Sequence, residues 1–230
     1  MPTSAAQTCT QSPDYLVHAS QDLARHGRLA RMRFVVSFQG QRRFANLDFG
    51  RPMDLPSLIR WRVATAERRD PHVRDAMEFR KLATKRWRYY LKGNDAATSL
   101  NQLRRIIQKD RFAEVGFLLI AKSPWHPATS VLGCCFCRRS WCHHLIVDFL
   151  AVHPKVLAET GGRVRGVGTG ILYSLVAMAD ALGIRTIWGE ATRNSAPFYQ
   201  RVLGLRRVTD YFFIEERTMD HCRRQSQNLK

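Results

Sequence analysis

The segment at residues 163–170, RVRGVGTG, brings together residue types that can hold a phosphate group. Three of its eight residues are glycine, two are arginine, and an apolar stretch follows from Ile171 onward. Glycine allows the main chain to approach a ligand closely, and the N–H groups at the start of a helix favour negative charge. The segment therefore predicts a turn that leads into a helix and binds a phosphate-bearing ligand.

Two familiar nucleotide-binding patterns do not fit this segment. The dinucleotide pattern G-x-G-x-x-G could begin at Gly166 and Gly168, but Ile171 occupies its third glycine position. The Walker pattern requires a Lys-Ser or Lys-Thr pair after its last glycine, and no such pair follows Gly170. The pattern that does fit is R-x-x-G-x-G, formed by Arg165, Gly168 and Gly170.

Hydrophobic periodicity predicts the elements that must position this turn. An apolar run of strand length at 144–152 precedes it, and a helix with one apolar face runs to about Leu182, where Gly183 ends it. A strand at 185–191 follows this helix. Because strand–helix–strand crossovers are right-handed, we expect these two strands to lie parallel in one sheet.

The remaining elements predict an α+β chain. A hairpin, three helices and two strands come first, and a short helix and a last strand follow the crossover. The predicted bounds are strands at 33–38, 43–49, 115–121, 130–137 and 207–215, with helices from Asp54 to before Pro71, from Pro71 to about Lys92 after an Asp70 N-cap, from Thr98 or Asp95 onward, and from Asn194 or Ser195 to Gly204.

A second motif begins 24 residues after Gly170, where the stretch NSAPFY at 194–199 is followed by VLGL at 202–205. Together with the R-x-x-G-x-G turn and its helix, this order of motifs resembles the GNAT (Gcn5-related N-acetyltransferase) superfamily over roughly residues 112–216. The resemblance implies an α+β fold with a mixed, mostly antiparallel sheet, a βαβ acyl-CoA-binding unit and helices on both faces. The loop at 155–164 is longer than is usual in the family, and the helices before residue 112 match only in general type.

The resemblance also implies an N-acetyltransferase that transfers acetyl from acetyl-CoA directly to an amine. In the family, the strand before the glycine turn splays from its neighbour, and its main chain pairs with the pantetheine arm and faces the thioester carbonyl. The N–H groups of the turn hold the pyrophosphate, and arginine adds positive charge. The donor-binding residues carried over to this chain are Leu150, Ala151, Val152, Arg163, Arg165, Gly166, Val167, Gly168, Thr169, Gly170, Asn194 and Tyr199.

Tyr199 is the predicted acid, because it stands where the family commonly places a tyrosine that protonates the coenzyme sulfur. A phenol with an ordinary pKa of about 10 can protonate a thiolate whose acid has a pKa near 8.5. Asn194 is predicted either to hydrogen-bond the donor or to serve as the N-cap of the short helix.

The identity of the base that removes the amine proton stays open at this point. Some family members use a glutamate where this chain has Ile146. Asp148 lies two residues further along the same strand, and Glu190 lies on the parallel strand, so both are candidates. His144 and His153 are also candidates, and an amine that is deprotonated by solvent would need no protein base.

The chain carries 37 Lys and Arg against 19 Asp and Glu, a formal net charge of +18, and such a field attracts polyanions. Part of this charge forms a stripe along the second predicted helix. A solvated helix face is the ordinary interpretation, and the alternative is a surface for an acidic or nucleic-acid-associated acceptor. A non-catalytic GNAT-fold module that binds nucleic acid is the alternative function. The stripe consists of Arg74, Lys81, Lys85, Arg88 and Lys92.

Four of the six cysteines lie close together, and Cys134 and Cys137 have the C-x-x-C spacing of a zinc-ligand pair. Residues three apart on a strand face opposite sides, however, so these two sulfurs should not converge on one metal ion. We predict reduced, buried thiols and no metal.

Length and composition predict one domain with short additions. We expect a poorly ordered tail at 1–30, a single GNAT-like domain at 31–216 and a basic tail at 217–230. Within the domain, 31–111 holds the basic hairpin and helices, and 112–216 forms the acyl-CoA-binding core. The polar N-terminus and the lack of an apolar run of about 18 residues predict a cytoplasmic protein without a membrane span.

Overall fold

The computed structural model describes residues 32–157 and 164–228. The predicted tail at 1–30 and Arg163 lie outside the described residues. The division of the chain into tails and a single domain stays a prediction, except at the C-terminal end, which is described below.

Eight strands form one mixed sheet in the order β6-β1-β2-β3-β4-β5-β7-β8. All neighbours are antiparallel except β5 and β7, which pair in parallel across the predicted crossover. The predicted α+β class and mostly antiparallel sheet are therefore confirmed. The strands are β1 (Met32–Phe38), β2 (Gln41–Phe49), β3 (Val115–Lys122), β4 (Val131–Arg139), β5 (Leu145–Val152), β6 (Val164–Arg165), β7 (Ile187–Glu190) and β8 (Tyr211–Ile214).

Helices cover both faces of this sheet, as predicted. Within the described ranges, none of them combines the length and the apolar character that a membrane span requires. Short 3-10 turns lie at Pro52–Asp54 and Glu67–Arg69. The helices are α1 (Leu55–Ile59), α2 (Pro71–Gly93), α3 (Leu100–Lys109), α4 (Pro154–Leu157), α5 (Val167–Leu182), α6 (Ala196–Leu203) and α7 (Glu216–Asn228).

Two apolar layers sandwich the central strands. In β3, Phe117 and Leu119 belong to the layer under α5, whereas Leu118 and Ile120 belong to the layer under α2. A strand that is buried on both faces must be apolar at every position, which explains the continuous sequence VGFLLIAK. The central strands therefore position α5 on one face of the sheet and α2 on the other.

Helix α2 begins where the sequence predicts, because the Asp70 carboxylate accepts a hydrogen bond from the His72 amide at 2.8 Å and Pro71 stands at the first helical position. The predicted apolar face, including Trp87 and Tyr90, packs on the sheet. The helix ends at Gly93, and Asn94 adopts the left-handed conformation that closes it.

Several predicted bounds are wrong. The first helix spans only Leu55–Ile59 and does not approach Pro71. The third helix is capped by Ser99, whose Oγ accepts from the Gln102 amide at 3.1 Å, and not by Thr98 or Asp95. The last strand begins at Tyr211, four residues later than expected.

The predicted C-terminal tail also needs correction, because residues Glu216–Asn228 form α7. Met219 and Cys222, three residues apart on one face, are buried in the layer under α5. Arg223 Nε donates to an Asp180 carboxylate oxygen of α5 at 3.0 Å. The apolar face of α7 consists of only Met219 and Cys222 among polar and charged neighbours, so the sequence pattern of 217–230 indicated a tail.

His153 joins the end of β5 to α4. The Lys155 amide donates to His153 Nδ1 at 3.1 Å, and the imidazole packs on the Trp61 ring with 4.5 Å between centroids. Burial is the main cause that lowers the pKa of His153 to about 4, and Lys155 and His126 add to it. The ring is therefore neutral at physiological pH.

We predict that Gly170→Ala destabilises the fold although alanine is the better helix former. A Cβ at residue 170 would lie 2.0 Å from Cδ2 of Phe34 on β1. Such overpacking costs about 1 to 3 kcal/mol, which exceeds the gain of about 1 kcal/mol from helix propensity. Urea unfolding should show a net loss. In a Phe34→Leu background the same substitution should become neutral or stabilising, and equal losses in both backgrounds would contradict the packing argument.

The lowered pKa of His153 predicts a pH-dependent loss of stability. Between the ordinary value of 6.5 and about 4, the unfolded chain binds a proton that the folded chain does not, so stability falls as pH falls through this range. From pH 7 to pH 5 the wild type should lose about 1 to 2 kcal/mol more unfolding free energy than His153→Asn. Asparagine retains an oxygen that can accept from the Lys155 amide, and parallel pH dependences of the two proteins would refute the assignment.

Candidate active site

A cleft of about 830 Å³ opens beside the end of β5, between the two helical layers. The beginning of α2 forms one wall of the cleft. The other lining residues come from the end of β5, the turn into α5 and the loop and helix at α6. The α2 wall consists of Asp70, His72, Asp75, Ala76 and Phe79; the other lining residues are Leu150, Ala151, Val152, Leu157, Val164, Arg165, Gly166, Val167, Gly168, Thr169, Asn194, Ser195, Pro197, Phe198, Tyr199, Arg201 and Val202.

The end of β5 has an open edge in this cleft. Strand β5 pairs with β4 as far as Val152, but it pairs with β7 only from Leu145 to Val147. Leu150 and Ala151 therefore have a strand on one side only, and both line the cleft. An unpaired strand edge presents N–H and C=O groups that can bind an extended ligand as an additional strand.

A β-bulge marks the point at which β5 leaves β7. Phe149 pairs with Phe136 and Val147 pairs with Cys137, so Asp148 has no counterpart on β4. The extra residue reverses the alternation of side chains. Val147 faces the layer under α5, whereas Phe149 packs in the layer under α2.

The start of α5 offers amide groups to an anion. Gly166 is the N-cap, with φ +93°, and no side chain caps the helix. The Gly170 amide donates to the Gly166 carbonyl at 2.8 Å. The amides of Val167, Gly168 and Thr169 precede that bond and have no carbonyl of the helix to pair with. The predicted donor-binding residues Gly166, Val167, Gly168 and Thr169 line the cleft, whereas Gly170 does not.

The glycines of this turn serve different purposes. Gly166 adopts a conformation that other residues rarely take, and a Cβ at Gly168 would lie 2.9 Å from the tip of the Phe198 ring. Gly170 is required by its contact with Phe34 in the core and not by a ligand. The sequence pattern alone does not separate these roles.

Two arginines bring positive charge to the cleft. Arg165 is exposed and pairs with Ser37 at the sheet edge, and Arg201 is exposed on α6. Both line the cleft. Sequence analysis did not single out Arg201, although it placed Asn194 and Tyr199 of the same motif at the donor site.

Tyr199 lies in α6 and is 5% exposed. Its ring stacks on Phe212 with 3.9 Å between centroids and meets Phe198 edge-on at 5.1 Å. Burial, followed by the neighbouring Cys135 and Cys137 thiols, raises the pKa of Tyr199 well above its ordinary value. The phenol is therefore protonated, the form that a proton donor must have.

Asn194 does not cap α6, whose N-cap position is Ser195. Instead, Asn194 Nδ2 donates to Asp75 Oδ2 at 3.1 Å, and the hydroxyl of Thr192 donates to the same oxygen at 3.0 Å. These bonds join α2 to the loop between β7 and α6. Asp75 was missed in the sequence, because only the tertiary fold brings residues 117 and 119 positions apart into contact.

The candidate bases do not bring a free carboxylate or imidazole to the cleft. The Asp148 carboxylate forms a two-point ion pair with Arg138, with distances of 2.6 and 2.9 Å, and Glu190 is exposed at the end of β7. His144 lies before the start of β5, and the Nδ1 lone pair of His153 accepts the Lys155 amide. None of the four belongs to the residues that line the cleft.

The basic stripe of α2 lies outside the cleft. All five side chains are exposed, and Lys81 Nζ lies 3.4 Å from the Glu78 carboxylate. None of the five belongs to the residues that line the cleft. A role in acceptor binding stays a prediction.

The cysteines of β4 face opposite sides of the sheet, as their spacing predicts. Cys134 packs in the layer under α2, whereas Cys135 and Cys137 pack under α5 with their sulfurs 3.4 Å apart. Across residues 32–157 and 164–228, no group of three or more His, Cys, Asp or Glu side chains is arranged to hold a metal ion.

No protein-family model and no curated protein matches the chain. Solved structures of acetyltransferases are similar to it at identities below 20%. A putative acetyltransferase of the GNAT family from Desulfovibrio desulfuricans is 14% identical with a TM-score of 0.42, and the match covers 74% of this chain and 98% of that one.

Two further matches are shorter. Tetrahymena Gcn5 is 18% identical with a TM-score of 0.31, and the match covers 43% of this chain and 56% of that one. Nourseothricin acetyltransferase is 19% identical with a TM-score of 0.31, and the match covers 38% of this chain and 48% of that one. The chain thus spans about half the length of these two proteins.

Proposed function

We propose that the protein is an acyl-CoA-dependent N-acyltransferase that transfers acetyl from acetyl-CoA directly to an amine. One observation carries this proposal: the open edge of β5 and the uncapped start of α5 face the same cleft. The first can bind an extended amide-containing arm, and the second can bind the phosphates at its other end.

The residues present fit acetyl-CoA. A cleft of about 830 Å³ has the size of a cofactor site. The amides of Val167 to Thr169 have no carbonyl partner in the helix and can bind an anion. Arg165 and Arg201 add positive charge to the same cleft. When bound, acetyl-CoA supplies an activated acetyl group as a thioester.

The backbone of Leu150 to Val152 supports the electrophile in this proposal. Main-chain N–H groups at an open strand edge are fixed in direction, so they can stabilise negative charge on a carbonyl oxygen without reorganisation. In this role the main chain acts and the side chains of these three residues do not, so apolar side chains are compatible with it.

Tyr199 is proposed as the group that protonates the leaving thiolate. Its raised pKa does not oppose this role by itself, because burial disfavours a thiolate as well as a phenolate. Within the same protein, burial raises the pKa of the Cys222 thiol to about 12. Burial in the cleft would oppose a free thiolate on the coenzyme in the same direction.

Deprotonation of the amine by solvent is the route that we favour over a protein base. Arg138 occupies both oxygens of the Asp148 carboxylate with hydrogen bonds, and Asp148 does not line the cleft. Glu190 and His144 do not line the cleft.

The basic stripe of α2 is proposed to contact the body of a larger, acidic acceptor outside the cleft. Arg74, Arg88 and their neighbours are exposed there, away from the cleft wall. If the protein instead binds nucleic acid with steep salt dependence and fails to bind acetyl-CoA at about millimolar concentration, the non-catalytic module is the better description.

We predict that Arg165→Glu weakens acetyl-CoA binding. Charge reversal at the exposed cleft residue should raise the Kd measured by calorimetry about tenfold, because the phosphates then meet a carboxylate. Arg185→Glu is the matched control, since Arg185 is equally exposed but does not line the cleft, and it should leave the Kd within about twofold. Equal effects of the two variants would count against the site.

We predict that Tyr199→Phe lowers kcat about 100-fold and leaves the Kd of acetyl-CoA unchanged. Phenylalanine keeps the ring that stacks on Phe212, so only the proton donor is lost. Tyr173→Phe removes a hydroxyl that donates to the Val202 carbonyl at 3.1 Å and serves as the control. An unchanged kcat for Tyr199→Phe, measured by thiol release with any accepted amine, would exclude the acid role.

A further inference from the structure

We propose that Asp75 binds the protonated amino group of the acceptor, so that the site selects a primary alkylammonium. This inference rests on the proposed function and names the class of its second substrate. It identifies a contact residue for the acceptor that the sequence motifs do not contain.

The position of Asp75 fits this role. It lies in the second turn of α2 and lines the same cleft as the end of β5. Arg165 and Arg201 line the cleft from β6 and α6, whereas Asp70 and Asp75 supply its carboxylates from α2 and its N-cap. In this proposal the phosphates of the donor lie at the arginines, and the acceptor amine approaches the end of β5 past Asp75.

The hydrogen bonds of Asp75 leave its charge available. Oδ2 accepts from the Thr192 hydroxyl at 3.0 Å and from Asn194 Nδ2 at 3.1 Å, and both donors are neutral. Within the described part of the chain, no Lys, Arg or His side chain forms an ion pair with Asp75, and Oδ1 has no hydrogen-bond donor. The described residues therefore orient this carboxylate without neutralising it.

Most other partly buried carboxylates of the described residues are ion-paired, and the exception, Glu67, accepts a backbone amide. Asp148 is paired with Arg138, Asp180 with Arg223, and Lys122 lies between two carboxylates. A chain with a net charge of +18 has cations to spare, yet none of those in the described ranges neutralises Asp75. A ligand cation would complete the site with charge-assisted hydrogen bonds.

The neighbouring surface fits an alkyl chain. Phe79 lies one helical turn after Asp75 and also lines the cleft. Its ring packs against Phe149, the residue that the bulge turns toward α2, with 6.2 Å between centroids. A carboxylate followed by an aromatic wall is suited to an ammonium group on an aliphatic chain.

The transfer balances with these groups. The acceptor nitrogen forms a bond to the acetyl carbon, and the carbon–sulfur bond breaks with its electron pair on sulfur. The ammonium loses two protons, one to solvent before attack and one that ends on sulfur by way of Tyr199. Asp75 holds the amine before the first proton leaves.

Binding of 1,4-diaminobutane to the protein saturated with coenzyme A tests the inference by calorimetry. Asp75→Asn retains an oxygen that can accept from Thr192 and Asn194 but removes the charge, and it should weaken diamine binding about tenfold or more. Glu78→Gln is the matched control, since it removes a carboxylate charge from the exposed face of the same helix and Glu78 does not line the cleft. It should change the Kd by less than about threefold.

Thr192→Val distinguishes the effect of the Asp75 charge from the effect of its hydrogen bond to the loop between β7 and α6. It removes one hydrogen bond and keeps the carboxylate, so diamine binding should stay within about threefold of the wild type. If Thr192→Val weakened diamine binding as much as Asp75→Asn, the hydrogen bond to the loop and not the charge of Asp75 would account for the binding, and the inference would be wrong.

The outcomes distinguish this inference from the proposed function. Coenzyme A is titrated first, and its failure to bind would refute the proposed function. If coenzyme A binds but the diamine does not bind at about 10 mM, or binds Asp75→Asn as tightly as the wild type, the selection of a cation by Asp75 is wrong while the function stands.

Discussion

The pairing between β5 and β7 ends at Val147, and the cleft exists because of that ending. Up to this residue β5 has neighbours on both edges, and beyond it β7 continues only with β8. The bulge at Asp148 bends β5 at the same place. A sheet that remained paired to Val152 would have no free main-chain groups for a ligand and no gap between the helical layers. The proposed donor site thus lies where the hydrogen-bonded pairing between β5 and β7 stops.

An interrupted ladder must be supported from both sides. Helix α2 and helix α5 supply this support, since the strands between them are buried on both faces and cannot shift without opening two apolar layers. The side-chain hydrogen bonds of Asp75 to Thr192 and Asn194 join α2 to the loop between β7 and α6. The geometry of the cleft therefore depends on residues from the whole described domain, although its motifs occupy a short part of the sequence.

Local charge in the cleft differs from the charge of the chain as a whole. Arg165 and Arg201 line the cleft from β6 and α6, whereas the α2 wall carries Asp70 and Asp75. The net charge of +18 describes the outer surface, where the basic stripe lies. Long-range attraction of polyanions and short-range binding of a cationic amine are therefore compatible, because screening in salt confines each effect to its own surface.

The sequence by itself determined the α+β class, the order of most elements, the crossover with its parallel strands and the helix start at 166–170, because these follow from local periodicity, caps and chirality. It also placed Tyr199 and the backbone of Leu150 to Val152 near that turn through a motif resemblance. It misjudged α7, whose narrow apolar stripe has meaning only against α5. Only the tertiary structure decided that Arg138 neutralises Asp148 and that Asp75 has no ionic partner among the described residues. Charge pairing depends on distances of a few ångströms between residues far apart in the chain, and no local pattern records such distances.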